Sequence, residues 1–214
     1  MVYDTIKLLM KNPQQIIIIH GGTTYESHEE YFLALKNLNI KLDRMKSSKD
    51  WKDSLQEKLG EDFIVYIPQM PNKQNAQYEE WKILFEKVLE LLDEDIVLIG
   101  HSMGGIFLAK YLSENNIHKK IQKTFLISAP FSDEGLIHES LCSFVREGDL
   151  NNFEKQAGKV YLYHSQDDMV VPYDHVQKYA KELPSAVVRE FKDRGHFKQE
   201  SIVELVEDVL EDLS

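Results

Sequence analysis

The sequence has little cysteine, little positive charge and no long apolar run. Its one cysteine, Cys142, has no partner for an internal disulfide bond or for a CxxC metal or redox site. Among the 214 residues, 36 are acidic and 25 are basic, which gives a formal net charge of −11. Because a surface of this sign repels phosphate backbones and anionic lipid, we expect neither nucleic acid nor a membrane as a partner. Apolar runs such as Ile16–Ile19 are far shorter than the roughly 18 residues that span a bilayer.

Residues 1–13 lack the basic stretch and apolar stretch of a secretory signal, which together with the lone thiol predicts a cytoplasmic protein. The length suits one domain with a well-buried core, so we expect a single domain over residues 1–214. The sequence contains no glycine-rich nucleotide loop and no histidine pair at metal-ligand spacing. We therefore expect neither a cofactor nor a metal site.

Short apolar runs alternate with longer segments of helical periodicity. Apolar runs that are continuous rather than alternating are typical of parallel strands buried on both faces. Strand followed by helix, repeated along the chain, predicts an α/β fold, a three-layer sandwich with a mainly parallel six-stranded sheet. The predicted strands are Ile16–His20, Phe63–Ile67, Ile96–Ile99, Thr124–Ser128, Val160–Tyr163 and Val187–Phe191.

Two segments interrupt this alternation, residues 23–50 after the first strand and residues 131–158 after the fourth. In the first, Ser27 and Glu30 have the spacing of a capping box, which predicts a helical insertion. Both segments leave from strand carboxyl ends, where ligands bind in parallel sheets, so we expect both to overhang the site like lids. A peripheral or dimer-forming helix is the alternative for the first. The apolar positions of the predicted helix are Tyr31, Phe32, Leu35 and Leu38.

A Gly-x-Ser-x-Gly motif from Gly100 to Gly104 lies between a predicted strand and a predicted helix. An abrupt strand-to-helix turn strains the backbone of its central residue, Ser102, and larger side chains two positions away would collide with the turn. The turn lifts the serine hydroxyl clear of the sheet, at the amino end of a helix that favours negative charge. The alternative is an ordinary helix start with a capping serine.

A serine hydroxyl needs a base to take its proton and a third group to orient that base. Asp167 and Asp168 follow the fifth predicted strand, and His196 follows the sixth in a Gly-His turn. The order serine, acid, histidine is the one expected for this architecture. The residues alone leave the choice between the two aspartates open, and a surface turn is the alternative for the histidine.

A tetrahedral intermediate also needs backbone N–H groups directed at its oxyanion. One should come from Met103, the residue after the nucleophile, and the other from the loop after the first strand. There we nominate Gly22, with Thr23 as the second choice. The alternative is that these glycines serve only a tight turn.

The combined motifs resemble the α/β-hydrolase superfamily. They are His-Gly-Gly at residues 20–22, Gly-His-Ser-Met-Gly-Gly at 100–105, Asp-x-x-Val-Pro at 168–172 and Gly-His-Phe at 195–197. More narrowly, Met-Pro-Asn at 70–72 followed by Trp81 is similar to the small serine hydrolases of the retinoblastoma-binding protein 9 and YdeN-like group. The resemblance implies a minimal fold without a separate cap domain. It also selects Asp168 as the acid of the triad.

The motifs and the resemblance together predict a serine hydrolase that cleaves small carboxylic esters or related acyl compounds. The acidic composition favours uncharged or cationic substrates. A non-catalytic protein-binding module on the same fold is the alternative, because a fold alone does not determine function. The predicted site residues are Ser102, Asp168 and His196 for catalysis, Gly22 and Met103 for the oxyanion, and Thr23, Tyr31 and Phe131 as pocket lining.

Overall fold

The computed structural model describes residues 12–46, 49–136 and 140–211. Parts of both predicted insertions, and Leu213 at the end of the last predicted helix, lie outside these residues. The six predicted strands are confirmed, and they pair in the order β2-β1-β3-β4-β5-β6, with every pairing parallel. The strands are β1 (Gln14–Ile19), β2 (Phe63–Tyr66), β3 (Asp95–His101), β4 (Lys120–Ile127), β5 (Lys159–Ser165) and β6 (Val187–Phe191).

Strand β4 begins four residues before the predicted start at Thr124. Three of its first four residues, Lys120, Gln122 and Lys123, are polar, so a search for a continuous apolar run misses this part of the strand. Lys123 is buried there, and its Nζ donates to the carbonyl oxygens of Asp208, at 2.8 Å, and Val209, at 3.2 Å. These carbonyls lie at the carboxyl end of a helix, where a cation is favourable.

Helices cover both faces of the sheet. The alternating side chains of β1 divide between two apolar cores, with Ile17 and Ile19 in one and Ile16 and Ile18 in the other. In the described residues, no helix is long and apolar enough to cross a membrane. The helices are α1 (His28–Lys36), α2 (Trp51–Leu59), α3 (Tyr78–Glu90), α4 (Met103–Glu114), α5 (Asn151–Gln156), α6 (Asp174–Glu182) and α7 (Val203–Leu210), with 3-10 turns at Leu42–Met45 and Cys142–Phe144.

The first core contains side chains from α3, α4, α5 and α6, and the second contains side chains from α2 and α7. This arrangement confirms the three-layer α/β architecture. Because helix and strand alternate along the chain, every strand ends at the same edge of the sheet, and the loops that follow the strands converge there.

Helix α1 forms where the capping box predicted it. Ser27 Oγ accepts from Glu30 N at 3.2 Å, while the Glu30 carboxylate accepts from Glu26 N rather than from Ser27 N. No residue of α1 is buried. Three of the four apolar positions of the predicted helix are exposed, with exposures of 49% for Phe32, 46% for Leu35 and 60% for Leu38.

Helix α3 offers a matched test of which face supports the fold. Phe85 is fully buried, and its ring meets the rings of Phe107 and Tyr111 at 5.4 and 5.0 Å, whereas Ile83 is 56% exposed. Phe85→Ala should lower the free energy of unfolding by about 3–5 kcal/mol through lost burial and a residual cavity. Ile83→Ala should change it by no more than about 0.5 kcal/mol. Urea unfolding followed by circular dichroism measures both, and equal losses would contradict the described packing.

Candidate active site

Ser102 occupies the turn between β3 and α4, in a backbone conformation that side chains rarely adopt, with φ of 56° and ψ of −123°. Its N–H donates to Ile127 O at 2.9 Å, so the turn is tied to the end of β4. The residue stands at the N-cap position of α4, yet its side chain makes no capping hydrogen bond. Within the described residues its Oγ has no hydrogen-bond partner, which disfavours the interpretation of Ser102 as a capping serine.

The glycines of the motif are required by close packing. A Cβ atom at Gly104 would overlap the carbonyl oxygen of Ile19, and one at Gly100 would lie 2.5 Å from the carbonyl oxygen of Gly104. The first turn of α4 therefore lies directly against the end of β1. This packing agrees with the steric argument made from the sequence.

The structure brings Asp168 and His196 together at the carboxyl ends of β5 and β6. His196 Nδ1 donates to Asp168 Oδ2 at 2.9 Å, and the carboxylate side chain is fully buried. Ser128 Oγ donates to the same oxygen at 2.7 Å, while the N–H groups of Val170 and Val171 donate to Oδ1. These four donors fix the orientation of the carboxylate.

Two opposing effects act on the pKa of Asp168. Burial raises it, because desolvation disfavours the charged form. The hydrogen bond and charge of His196 and the donors at Val170 and Ser128 outweigh burial, so the net pKa lies below its ordinary value of 3.8. The carboxylate is therefore charged at neutral pH.

Asp167, the other candidate for the acid of the triad, is exposed, and it contacts the backbone of the histidine loop. Its Oδ1 accepts from Gly195 N at 2.8 Å and from the hydroxyl of Ser165. These hydrogen bonds lower the pKa of Asp167. The side chain therefore holds the backbone next to His196 rather than its imidazole ring.

Two side-chain donors hold the backbone of the histidine loop. His101 Nε2 donates to His196 O, and Trp51 Nε1 donates to Phe197 O, both at 3.0 Å. Phe197 has a positive φ of 49°, so this part of the loop is strained and depends on such contacts. The His101 ring also lies 5.0 Å from the His196 ring. Because Ser102 follows His101 directly, a single hydrogen bond links the serine turn to the histidine loop.

His20 orients the loop after β1. Its Nε2 accepts from Met70 N at 2.9 Å, and its Nδ1 donates to Gly21 O at 2.7 Å. The peptide bond is trans, so the N–H of Gly22 lies on the opposite edge of the same peptide plane from the Gly21 oxygen. A Cβ atom at Gly21 would lie 3.1 Å from Ser102 Cβ, which shows how closely this loop approaches the serine.

The second choice for the oxyanion donor, Thr23, is wrong, because its N–H already donates to Lys73 O at 2.8 Å. Among the residues that the structure describes, no protein acceptor pairs with the N–H of Gly22 or with that of Met103 at the start of α4. Met103 follows Ser102 directly in the chain, and Gly22 follows Gly21, which approaches Ser102 closely in space. Neither N–H is committed within the protein, so both are free to bind a ligand.

The three predicted pocket residues lie in different surroundings. Tyr31 lines a cavity of about 330 Å³ beside the loop at residues 71–77, and Thr23 Oγ1 donates to Gln74 O in that loop. Phe131 lies elsewhere, with its ring 5.0 Å from the Tyr179 ring and under the Arg146 guanidinium. The structure therefore does not bring Phe131 into the cavity that Tyr31 lines.

Sequence reasoning missed Ser128, Trp51 and the role of His101. Ser128 was interpreted as the last residue of a strand, although a polar residue at a strand carboxyl end is a signal that could have identified it. Trp51 shares a helical spacing with Leu55 and Leu59, which predicts only that it packs against the sheet. Its bond to Phe197 spans 146 residues, and no local pattern reveals a contact of that range.

The site can be compared with known proteins. The family described as Serine hydrolase matches residues 44–213. The chain is 30% identical over 145 residues to Serine hydrolase RBBP9 of Rattus norvegicus, which covers 67% of this chain and 75% of that protein. It is 24% identical over 159 residues to YdeN of Bacillus subtilis, which covers 73% of this chain and 83% of that protein.

Solved structures show the same fold. The crystal structure of YdeN from B. subtilis superposes with a TM-score of 0.68 at 18% identity, covering 92% of this chain and 96% of that one. Est1E from Butyrivibrio proteoclasticus superposes with a TM-score of 0.58 at 18% identity, covering 95% of this chain and 88% of that one. These likenesses agree with a minimal α/β-hydrolase fold.

Buried histidines make the stability of this protein sensitive to acid. Burial lowers the pKa of His20, His101, His164 and His175 from the ordinary 6.5. Below pH 6.5 the unfolded chain therefore binds more protons than the folded one, and stability falls as the pH falls. Each histidine contributes a slope of at most about 1.4 kcal/mol per pH unit. Urea unfolding between pH 8 and 5 should show this decline.

The control for this experiment is the exposed His118. His175→Gln should reduce the slope between pH 6.5 and 5, whereas His118→Gln should leave it unchanged. A free energy of unfolding that stays constant from pH 7 to pH 5 would contradict the assignment of neutral buried histidines.

The donor from Trp51 can be removed without removing the aromatic ring. Trp51→Phe should leave the buried Phe197 carbonyl unpaired, which should lower the free energy of unfolding by about 1–3 kcal/mol. The same change should speed amide exchange in residues 195–199. Trp81→Phe is the matched control, because Trp81 Nε1 donates to Pro71 O at 2.8 Å in another loop. It should speed exchange near residue 71 only. Hydrogen exchange by mass spectrometry distinguishes the two variants. Unchanged exchange at residues 195–199 in Trp51→Phe would contradict the role of Trp51 in holding the histidine loop.

Proposed function

Because the chain belongs to the serine hydrolase family, we propose that it cleaves small carboxylic esters or related acyl compounds through an acyl-enzyme formed on Ser102. The observation that carries this proposal is the 2.9 Å hydrogen bond from His196 Nδ1 to the buried Asp168, at the sheet edge where Ser102 is held in its strained turn. The single cysteine suits a reducing cytoplasm.

Acylation begins when Ser102 Oγ attacks the carbonyl carbon of the ester. His196 Nε2 accepts the hydroxyl proton, since its Nδ1 is committed to Asp168. The carboxylate fixes the tautomer of the ring and stabilises the imidazolium that forms. His196 then gives the proton to the departing alcohol, and the acyl group remains on Ser102.

The oxyanion of each tetrahedral intermediate is stabilised by the N–H groups of Gly22 and Met103. Both are backbone donors next to the nucleophile, and the Met103 donor also belongs to the amino end of α4, where the helix dipole favours negative charge. The hydrogen bond from His20 to Gly21 O supports the role of Gly22, because it fixes the peptide that carries this N–H.

Deacylation reverses the proton path. His196 takes a proton from water, the resulting hydroxide attacks the acyl carbon, and the collapse of the second intermediate returns the proton to Ser102 Oγ. That Ser102 Oγ has no hydrogen-bond partner among the described residues is compatible with this cycle, because the hydrogen bond from serine to histidine often shortens only when substrate is bound.

A second candidate function is protein binding on the same fold, with a weak or inactive triad. The exposed apolar side chains of α1 favour it, because clustered apolar groups on a surface often mark an interaction site. The two functions differ in whether Ser102 reacts.

A fluorophosphonate probe tests the nucleophile directly. It should label the native protein at Ser102 alone, and Ser102→Ala should abolish both labelling and the hydrolysis of p-nitrophenyl acetate. A folded sample that resists labelling and leaves the ester intact would favour the binding function. If Ser102→Ala kept native activity, the proposed mechanism would be wrong.

The neighbouring aspartates form a matched pair for the role of the acid. Asp168→Asn should lower kcat by about 10⁴-fold, because the imidazole loses its fixed tautomer. Asp167→Asn keeps an oxygen that can accept from Gly195 N, so it should change kcat by less than about tenfold. Comparable losses in the two variants would show that the acid has been misassigned.

A further inference from the structure

The cavity that Tyr31 lines has an unusual composition, and we call it the amide cavity. Its volume is about 330 Å³, and it lies between the first turn of α1, the loop at 71–77 and the start of α3. Four of its seven lining residues carry side-chain amides. The lining residues are His28, Tyr31, Asn72, Gln74, Asn75, Gln77 and Glu80.

Several of these amides lack partners within the protein. Asn75 Oδ1 is buried, and none of the described residues donates to it. Gln74 and Gln77 are exposed, and their side chains make no hydrogen bond in the part of the chain that the structure describes, so both amides are open to a ligand. The buried Asn75 Oδ1 differs, because a buried acceptor without a donor costs about 1–3 kcal/mol, which a ligand that donates to it recovers.

The chemistry of the lining selects a class of ligand. Each amide offers both donors and an acceptor, as a hydroxyl group does, so amides pair well with neutral hydroxyl-rich groups. Asn72 Nδ2 donates to Glu80 Oε2 at 2.8 Å, which fixes a further acceptor. No lysine or arginine lines the cavity, so it does not suit an anion. The Tyr31 ring supplies an apolar wall for the carbon skeleton of such a ligand.

The loop at 71–77, which lines the amide cavity, is hydrogen-bonded to the loop after β1 that carries Gly22. Thr23 N donates to Lys73 O, and Ala76 N donates to Thr23 O, both at 2.8 Å, while Thr23 Oγ1 donates to Gln74 O at 3.0 Å. Three hydrogen bonds thus join the loop that approaches Ser102 to the loop that lines the cavity. A group bound in the cavity therefore lies against a loop that is joined directly to the segment that carries Gly22 N–H.

We propose that the amide cavity binds the hydroxyl-rich alcohol half of an ester substrate, a sugar or polyol, while its acyl carbon lies at Ser102. This inference rests on the proposed function. In an ester of a neutral hydroxyl-rich molecule, that molecule is the alcohol component, so the cavity holds the leaving group. Hydrolysis releases it with the proton from His196.

Activity measurements test the leaving-group preference. The ratio of kcat/KM for xylose monoacetate to kcat/KM for ethyl acetate should exceed one in the native protein. Gln77→Leu should lower that ratio about tenfold, the effect of one lost hydrogen bond to a hydroxyl group. Gln77 makes no capping bond to α3, so the substitution leaves the helix start intact. The control Gln177→Leu, which changes an exposed amide on α6, should leave the ratio unchanged.

A ratio that Gln77→Leu does not alter would overturn the proposal. So would a higher kcat/KM for the acetate of a cationic amino alcohol than for xylose monoacetate, since the charge of Glu80 rather than the amides would then select the ligand.

A binding experiment separates this inference from the proposed function. Free xylose should bind to Ser102→Ala in saturation-transfer NMR, and its signal should weaken when Gln77→Leu is added to that background. Absence of binding at high xylose concentration would overturn the cavity proposal even if esters are hydrolysed. Binding of xylose by a protein that hydrolyses no ester would instead support the cavity and refute the hydrolase mechanism.

Discussion

The contact between the first turn of α4 and the end of β1 is the constraint on which the candidate site depends. Gly104 lies so close to the backbone of Ile19 and His20 that a side chain there would overlap the chain. Only this approach lets the strained turn at Ser102 stand beside the loop that begins at Gly21. One glycine therefore brings the proposed nucleophile close to the loop that carries the proposed oxyanion donor, and the strain at Ser102 is offset by packing beneath it.

A single contact also links the proposed nucleophile to the loop that carries its proposed base. His101 and Ser102 are adjacent in the chain, so the hydrogen bond from His101 to His196 O fixes the distance between two strand ends. Because burial lowers the pKa of His101, the ring is neutral and donates through one nitrogen without adding charge beside His196. Trp51 donates to the next carbonyl, that of Phe197, and its ring packs against the His101 ring. The histidine loop is thus positioned by groups that take no part in proton transfer.

Features set by local sequence could be predicted, and features set by distant contacts could not. The six strands and the turn at Ser102 follow from apolar runs and from glycines within two residues of the serine, so both were predictable. The sequence placed Asp167 and Asp168 one residue apart without distinguishing them. In the structure they differ because successive residues of the loop after β5 face opposite ways, one towards the His196 ring and one towards solvent.

Helix α1 shows the limit of periodicity in another way. Its spacing predicted a helix correctly, but periodicity reports which residues share a face and not whether a partner covers that face. Of its apolar positions, Tyr31 meets the rest of the protein at the amide cavity, while Phe32 and Leu35 remain exposed. The serine hydrolase match begins at residue 44, after α1, and includes Ser102, Asp168 and His196. The three residues of the proposed triad thus lie in the part of the chain that matches the family, whereas the proposed oxyanion donor Gly22 and one wall of the proposed leaving-group site lie outside that part. Substrate choice can therefore change through α1 without disturbing the triad.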